Sequence, residues 1–375
     1  IHFNQPLFFG KETRYIEQAI NLGKISGDGA FTKKCQTFFE QRYGFSKTLL
    51  TTSCTDALEM CALLLDIKSG DEIIIPSFTF VSCANAFVLR GAKIIFADSE
   101  HNNPNIDTTA LENLITPKTK AILVVHYAGF ACKMNEIISL TKKHNLFLIE
   151  DVAHGIDNTY NNQPLGSFGD LATYSFHETK NVTSGEGGML VINNKKLHKR
   201  AEIIREKGTN RSAFFRGEID KYNWIDIGSS FLPADINAAF LYAQLEQLDN
   251  IQKRRIEIWN RYYDALKPLT NNMLATLPTV NTYTKVNGHI FYLVCKNLEE
   301  RTKLIKHLLA NKVSAVFHYQ PLHLSPYYTE NNTHIPHLPN AEKFANCLLR
   351  FPLHLHLTNK QIDYVASVIT SFYLK

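Results

Sequence analysis

The sequence predicts an α/β protein with a large domain on a mostly parallel central sheet and a smaller C-terminal α+β domain. Short apolar runs without polar alternation recur through the first two thirds of the chain, as expected of strands covered on both faces. Helix-like stretches separate many of these runs, which indicates βαβ units. After residue 280, one apolar run is followed by two helical patterns, and this mixture predicts the smaller domain.

The predicted strands of the large domain are rich in Ile, Val, Leu and Phe. They are Lys47–Leu50, Glu72–Pro76, Lys93–Ala97, Ala121–His126, Leu146–Glu150, Ala172–Phe176 and Gly188–Ile192. In open sheets of this kind, ligands bind beyond the carboxyl ends of the strands. The polar residues that directly follow these runs are therefore the first candidates for a functional site.

Apolar residues at helical spacing predict helices between and after the strands. Thr55–Leu65 and Lys133–His144 each place apolar side chains on one face. Asp235–Leu266 is typical of one long or once-broken amphipathic helix, and Pro268–Pro278 is typical of a linker.

The smaller domain is predicted to contain a strand over Ile290–Cys295 and helices over Leu298–Asn311 and Asn359–Phe372. We predict a large domain over residues 1–245, whose N-terminal segment can pack on the small domain. The small domain then covers residues 246–375 and includes the linking helix.

Composition excludes several classes of protein. The 375 residues are 45% hydrophobic and 20% charged, and the net charge of +5 is too small to indicate nucleic-acid binding. The apolar runs fall well short of the ~20 residues that span a membrane, and no signal peptide is visible. The seven cysteines have irregular spacing and no CxxC pair, which favours free thiols in a reducing compartment. We expect a cytoplasmic protein without a membrane or nucleic-acid partner.

The stretch Ser53–Asp56 follows the first predicted strand and begins a helix. Ser53 and Asp56, three residues apart, fit a capping pattern. Their small neighbours leave the NH groups of the helix N-terminus accessible to a phosphate. On these residues alone, a capped helix without a ligand is the simpler interpretation.

Two further strand ends carry reactive groups. A carboxylate at the buried end of Leu146–Glu150, such as Asp151, needs a partner, which could be a ribose, a metal or a protonated ring nitrogen. Lys180 follows Ala172–Phe176 and precedes the turn Gly185–Gly188, and burial there would lower its pKa and make it nucleophilic. The turn is not a GxGxxG loop, which argues against a dinucleotide. A phosphate-binding turn, a carboxylate and a glycine-flanked lysine together predict pyridoxal 5'-phosphate (PLP) as the cofactor.

Motifs along essentially the whole chain indicate a family. They are Gly27–Thr32, Ser53–Thr55, Pro76–Ser82, His126–Gly129, Glu150–His154, Ser175–Asn181 and Gly185–Gly188. In these stretches the chain resembles the DegT/StrS-type nucleotide-sugar aminotransferases, which are PLP enzymes of fold type I, the aspartate aminotransferase fold. Arg205–Ser212 and Asp226–Pro233 resemble the branch that converts dTDP-4-keto-6-deoxyglucose to dTDP-4-amino-4,6-dideoxygalactose in enterobacterial common antigen synthesis. The resemblance implies L-glutamate as donor, a keto-sugar nucleotide as acceptor, and a homodimer with its active site at the subunit interface.

The resemblance also implies a role for each cofactor residue. Lys180 would be the Schiff-base lysine and proton carrier, Asp151 would pair with the pyridine nitrogen, and His154 would hydrogen-bond the phenolic oxygen. The other implied contacts are ring stacking by Phe80, phosphate binding by Cys54, Thr55 and Ser175, and a phosphate contact by Ser229 or Ser230 from the partner subunit. At the position of these two serines the family usually has an asparagine.

The sugar nucleotide needs donors and positive charges. The candidates are Gly29, Lys207, Arg211, Lys221, His318 and His323. A solvated loop is an equal interpretation of the three basic residues. We predict no metal site, because no carboxylate or cysteine lies at ligand spacing from the histidines.

Other functions stay open on the sequence. Lys180 favours transamination, because related dehydratases have histidine at this position. The alternatives are amination at C3 of a 3-keto-sugar nucleotide, a nicotinamide-dependent dehydrogenase, and a non-catalytic PLP-binding regulator.

Overall fold

A computed structural model describes residues 1–374, which form helices around three β-sheets. The helices are α1 (Lys11–Asn21), α2 (Ala30–Tyr43), α3 (Cys54–Leu64), α4 (Ser82–Val88), α5 (Met134–His144), α6 (His198–Arg205), α7 (Arg211–Phe215), α8 (Asp235–Leu245), α9 (Leu248–Asn271), α10 (Leu298–Ala310), α11 (Pro326–Asn331), α12 (Pro339–Cys347) and α13 (Asn359–Tyr373). The strands are β1 (Thr48–Thr51), β2 (Glu72–Pro76), β3 (Lys93–Ala97), β4 (Thr119–Val125), β5 (Phe147–Asp151), β6 (Thr159–Tyr160), β7 (Gln163–Pro164), β8 (Leu171–Ser175), β9 (Gly188–Ile192), β10 (Tyr292–Val294), β11 (Val316–Phe317) and β12 (Leu348–Arg350).

The large sheet has seven strands in the order β1-β9-β8-β5-β4-β2-β3. All seven strands predicted from the sequence lie in it. The pairs from β8 through β5, β4 and β2 to β3 are parallel, and only β9 runs antiparallel to its two neighbours. The prediction of a mostly parallel central sheet is confirmed.

Helices cover both faces of this sheet, which explains why its strands lack polar alternation. Ile73 and Ile75 of β2 pack in one core cluster with α3 and α4. Ile74 between them packs in the other cluster, with α2, α5 and α8. Because successive side chains of a strand point to opposite faces, both faces of β2 must be apolar.

The helical region predicted over Asp235–Leu266 is broken once, into α8 and α9. Helix α9 continues through Pro268 to Asn271, so the prediction of a linker that begins at Pro268 is wrong. Leu266 and Leu269 are both buried at this end of the helix. Burying each leucine contributes about 1.5–3 kcal/mol, which together offsets the roughly 3 kcal/mol that an internal proline costs.

The C-terminal part of the chain forms an antiparallel sheet in the order β10-β12-β11. The N-terminal segment packs here: the Ser314 NH donates to the Ile1 carbonyl at 3.0 Å, and His354 Nε2 lies 3.2 Å from the His2 carbonyl oxygen. The division of the chain between residues 245 and 246 stays a prediction. Within residues 1–374, no helix combines the length and apolar character needed to cross a bilayer.

Candidate active site

A cavity of about 770 Å³ lies beyond the carboxyl ends of several strands of the large sheet, as the fold class predicts. Seven of the predicted cofactor residues line it: Cys54, Thr55, Phe80, Asp151, His154, Ser175 and Lys180. His318, one of the predicted substrate residues, also lines this cavity. The chain therefore brings together groups that are up to 264 residues apart in sequence, from position 54 to position 318.

Helix α3 begins at the cavity wall. Ser53 is its N-cap, and its hydroxyl accepts a hydrogen bond of 3.0 Å from the Asp56 NH, as the sequence pattern predicts. The first NH groups of a helix have no partner within it, and the helix dipole favours an anion there. Thr55 Oγ1 lies 2.8 Å from the Ser82 hydroxyl at the same wall. This turn presents the donors that a phosphate group requires.

A close approach at Gly188 holds strand β9 against this turn. Gly188 pairs with Thr51 on one side and with Ser175 on the other. A Cβ at position 188 would lie 2.3 Å from the carbonyl carbon and oxygen of Ser53 and 2.4 Å from the Cys54 nitrogen. Only a residue without a side chain fits, so the last glycine of the predicted turn serves to bring Ser175 beside the helix N-terminus.

Lys180 lies in the loop between β8 and β9. Its backbone NH donates to the His177 carbonyl at 2.9 Å, and its side chain lines the cavity. Burial lowers the pKa of Lys180, and the nearby Asp151 carboxylate opposes this effect. An amine with a lowered pKa is more often unprotonated near neutral pH, and is then available as a nucleophile or a base.

Asp151 is the last residue of β5 and is buried. Its Oδ1 accepts a hydrogen bond of 2.9 Å from the Ala153 NH, and its Oδ2 accepts one of 3.1 Å from the Cys83 thiol. These two donors fix the orientation of the carboxylate at the cavity wall. Cys83 was not among the predicted site residues.

Glu150, the residue before Asp151, points to the opposite face of β5. Its carboxylate accepts hydrogen bonds from the NH groups of Gly166 at 2.8 Å, Phe168 at 2.8 Å and Gly169 at 2.7 Å. It also lies 3.1 Å from Nε2 of buried His126. The acidic pair at this strand end therefore consists of one carboxylate that anchors a loop and one that faces the cavity.

Three histidines form an uncharged polar part of the cavity wall. The ring of His154 lies 4.4 Å from that of His289 and 6.0 Å from that of His318, measured between centroids. Burial lowers the pKa of all three well below 6.5, and nearby Lys180 lowers each further. They are therefore neutral near pH 7.

The segment over residues 205–230 holds five more of the predicted phosphate and sugar-nucleotide residues, and it does not line the cavity of its own chain. These residues are Lys207, Arg211, Lys221, Ser229 and Ser230. The Lys207 NH donates to the Ser229 carbonyl at 2.9 Å, and Arg211 forms an ion pair of 2.9 Å with Glu206. One chain alone does not bring these groups to the cofactor residues.

Gly29 and His323 are enclosed by protein within the described chain, and their contact with substrate stays a prediction. A Cβ at Gly29 would lie 2.2 Å from Cγ of Asp235, whose carboxylate accepts a hydrogen bond of 2.8 Å from the Thr32 NH at the start of α2. The His323 side chain is fully buried, with its Nδ1 2.6 Å from the Ser77 hydroxyl. Both residues are enclosed by close packing between segments far apart in sequence.

Residues that were not predicted complete the cavity. Phe3 and Asn4 come from the N-terminal segment, and His289, Tyr319 and Arg350 come from the C-terminal part. None of them follows a strand of the large sheet, whereas the sequence prediction considered the residues that follow such strands. For Arg350 a different signal existed, since it is the one charged residue in the apolar run 348–353.

Comparison with known proteins agrees with this geometry. Residues 9–370 match the DegT/DnrJ/EryC1/StrS aminotransferase family. The chain belongs to this family. It is 32% identical to a GDP-perosamine synthase of Escherichia coli O157:H7 over 98% of this chain and 97% of the relative. It is 30% identical to the spore coat polysaccharide biosynthesis protein SpsC of Bacillus subtilis over 98% of this chain and 95% of the relative.

Solved structures show the same fold. The sugar aminotransferase Spr1654 of Streptococcus pneumoniae, described as putative and solved in its PLP form, has 24% sequence identity and a TM-score of 0.91 over 100% of this chain and 98% of that one. At this identity the likeness shows the fold, and fold type I is confirmed. As a member of this aminotransferase family, the chain is a PLP-dependent transaminase.

Proposed function

We propose that this aminotransferase moves an amino group from L-glutamate to a keto-sugar nucleotide, with dTDP-4-keto-6-deoxy-D-glucose as acceptor and dTDP-4-amino-4,6-dideoxy-D-galactose as product. The proposal rests on one observation, which is that Lys180, Asp151 and the N-terminus of α3 line the same cavity. A lysine amine, a carboxylate and an anion-binding turn are the groups that hold PLP. The product would serve cell-surface polysaccharide synthesis.

The chain's own residues fit PLP group by group. The NH groups of Cys54 and Thr55, with the Ser175 hydroxyl, would hold the phosphate at the positive end of α3. The Asp151 carboxylate, held by two donors, would pair with the protonated pyridine nitrogen. Phe80 is 56% exposed at the cavity and free to stack on the ring.

His154 would hydrogen-bond the phenolic oxygen of the cofactor. Its Nδ1 accepts a hydrogen bond of 3.3 Å from the Ala128 NH, so the ring proton of the neutral imidazole is on Nε2. Nε2 can then donate to an oxygen in the cavity. The same bond fixes the ring orientation, as a neighbouring hydrogen bond does for most functional histidines.

Lys180 is the acid–base group. PLP, when bound, supplies an aldehyde that condenses with amines and a ring that stabilises negative charge on the adjacent carbon. The Lys180 amine would carry the proton that leaves the α-carbon of the donor, and would carry a proton in the opposite direction when the sugar is aminated. Lys180 is the one lysine among the lining residues of the described chain.

A homodimer accounts for the residues that lie away from the cavity. The segment over residues 205–230 exposes Phe215 by 66%, Trp224 by 81% and Ile225 by 53%. Large apolar side chains exposed together mark an interaction surface. In the proposed dimer this segment contacts the partner's cavity, where Ser229 or Ser230 adds a phosphate contact. Lys207, Arg211 and Lys221 then supply positive charge for the nucleotide diphosphate.

Relatives favour a second candidate acceptor. Two curated relatives, 32% and 31% identical to this chain, are GDP-perosamine synthases, which are named for a GDP-linked amino sugar. A GDP-linked 4-keto-6-deoxyhexose is therefore the competing substrate. The nucleotide is bound by the 205–230 segment in the proposed dimer, so the two candidates differ in what that segment must recognise.

Product analysis tests the function. The protein with PLP is incubated with [15N]glutamate and, separately, with dTDP-4-keto-6-deoxyglucose, its 3-keto isomer and a GDP-linked 4-keto-6-deoxyhexose. Mass spectrometry and NMR then locate the 15N label in the product. We expect the label at C4 of the dTDP-linked sugar and none with Lys180→Ala. Label at C3, or only in the GDP-linked product, would replace the proposed substrate. Binding of PLP without 2-oxoglutarate release for any acceptor would favour the non-catalytic regulator.

A further inference from the structure

The thiol of Cys83 contacts the buried carboxylate of Asp151 at the wall of the cavity. Cys83 lies in the first turn of α4, and its Sγ is 3.1 Å from Asp151 Oδ2. Thr79 Oγ1 lies 3.2 Å from the same sulfur. All three residues are buried, and all three line the cavity. A continuous row of hydrogen bonds therefore runs from the connection between β2 and α4 to the end of β5.

The chemistry of the three groups fixes the direction of each bond in this row. A carboxylate only accepts hydrogen bonds, so the single thiol proton of Cys83 goes to Asp151. The Thr79 hydroxyl is then the donor toward the sulfur. Burial raises the pKa of the Cys83 thiol well above its usual value, and the nearby Asp151 carboxylate raises it further. The thiol is therefore protonated near neutral pH and acts as a donor.

The Asp151 carboxylate has acceptor capacity left for a group in the cavity. Its two oxygens offer about four lone pairs. The described chain uses one on Oδ1, for the Ala153 NH at 2.9 Å, and one on Oδ2, for the Cys83 thiol. An N–H of a ligand ring that bonds to this carboxylate would share it with these two donors. The strength of each donor then affects how strongly the carboxylate attracts the proton of the ring.

The segment that holds the thiol also carries Phe80, the predicted stacking residue. The Cys83 NH donates to the Phe80 carbonyl at 3.1 Å, and the Thr79 NH donates to the Ser77 carbonyl at 3.1 Å. One short connection therefore positions two groups relative to each other. Phe80 would lie against the face of a bound ring, and Cys83 lies behind the carboxylate that would meet its nitrogen.

We propose that Cys83 is a positioning residue for the cofactor, whose hydrogen bond to Asp151 Oδ2 keeps the shared proton on the ring nitrogen of PLP. The inference rests on the proposed pairing of Asp151 with this nitrogen. A donor to a carboxylate stabilises its charged form and so weakens its attraction for a further proton. Without the thiol, the proton shifts from the nitrogen toward Oδ2, and the charged pair becomes a neutral one with no proton gained or lost. A neutral ring stabilises negative charge less well.

Nitrogen NMR of the protein loaded with ring-15N PLP tests the proposal, because the 15N shift reports whether the ring nitrogen carries the proton. Cys83→Ala removes the donor, and Cys83→Ser replaces the weakly donating thiol with a hydroxyl. Cys61→Ala is the matched control, since Cys61 is buried in the same core cluster but, within the described chain, neither lines the cavity nor bonds to Asp151. Dissociation constants are measured in parallel for PLP and for its 1-deaza analogue, which has carbon in place of the ring nitrogen.

We expect Cys83→Ala to move the 15N shift toward that of unprotonated pyridine. Cys83→Ser keeps the wild-type shift or moves it further to the protonated side. Cys83→Ala also weakens PLP binding by about 2- to 10-fold, as for loss of one hydrogen bond, and leaves binding of the 1-deaza analogue unchanged. Cys61→Ala lowers the urea midpoint, because it also removes a buried sulfur, but changes neither the 15N shift nor PLP affinity.

Two results would overturn the assignment. One is a wild-type 15N shift in Cys83→Ala. The other is an equal loss of affinity for PLP and its 1-deaza analogue, which would make Cys83 a packing residue only. If Cys83→Ala fails to fold, Cys83→Val fills the space without a donor and gives the same two measurements. Failure of the proposed function looks different, because Asp151→Asn would then leave the wild-type 15N shift unchanged.

A shift that moves in Asp151→Asn but not in Cys83→Ala rejects the role of the thiol alone.

Discussion

Gly188→Ala tests whether the close approach of β9 to helix α3 builds the phosphate site. The added Cβ would lie 2.3 Å from the carbonyl carbon of Ser53, whereas carbon atoms pack best at about 3.5 Å. The two backbone segments must therefore separate by about 1.2 Å, the difference between these values. Such overpacking typically costs about 1–3 kcal/mol of the free energy of unfolding.

The same displacement moves the NH groups of Cys54 and Thr55 away from the Ser175 hydroxyl. Hydrogen bonds to a charged group contribute about 1.5–3 kcal/mol each, so loss of one weakens PLP binding by about 10-fold or more. Titration of the apoprotein with PLP, followed by absorbance, measures the change in Kd. Urea unfolding of the same samples measures stability.

Gly185→Ala is the matched control in the same turn. Gly185 has a φ of +79° but nothing within 4 Å of its Cβ position. Alanine there costs about 1–2 kcal/mol through its left-handed backbone, without displacing the phosphate site. Both variants therefore lose stability, and only Gly188→Ala loses PLP affinity. Wild-type PLP affinity in Gly188→Ala, or an equal loss in Gly185→Ala, would refute the reasoning.

Further changes test other parts of the site. Lys180→Ala should abolish turnover and the visible absorbance of the lysine-bound cofactor, and a variant that keeps either one contradicts the role of this amine. Because burial holds the pKa of His154 and His318 well below 6.5, both are neutral in the folded and unfolded states above pH 7, and unfolding takes up protons only at lower pH. As the pH falls below about 6.5, the free energy of unfolding should therefore decrease by up to roughly 1.4 kcal/mol per pH unit for each histidine. Urea unfolding between pH 7.5 and 5 measures this decrease. A free energy of unfolding that does not change with pH would contradict the prediction. Gly29→Ala should lose about 1–3 kcal/mol of stability through contact with Asp235 while PLP affinity stays unchanged. Weaker sugar-nucleotide binding with full stability would instead support its predicted substrate role.

Local sequence patterns correctly predicted the strands of the large sheet. All seven strands were found because each is apolar on both faces. Ser53, Asp151 and Ser175, which lie at the ends of β1, β5 and β8 or two residues beyond, line the cavity. The resemblance to a family added roles that spacing alone left open. One example is the Asp151 carboxylate, which spacing could not distinguish from Glu150.

Sequence patterns were least informative where packing joins distant segments. The lack of a side chain at Gly29 is explained by Asp235, 206 positions away in the sequence. Arg350 was missed because a strand of the smaller sheet brings it to the cavity, and no rule on the ends of parallel strands applies there. The prediction of a linker from Pro268 is wrong because two buried leucines keep helix α9 intact around this proline.

The antiparallel insertion of β9 has a mechanical consequence. Ser175 and Gly188 are paired neighbours, so the loop that carries Lys180 leaves and re-enters the large sheet at a single point. The reactive amine and the anion-binding turn are consequently anchored at one point of the large sheet, whereas Arg350 belongs to the other sheet.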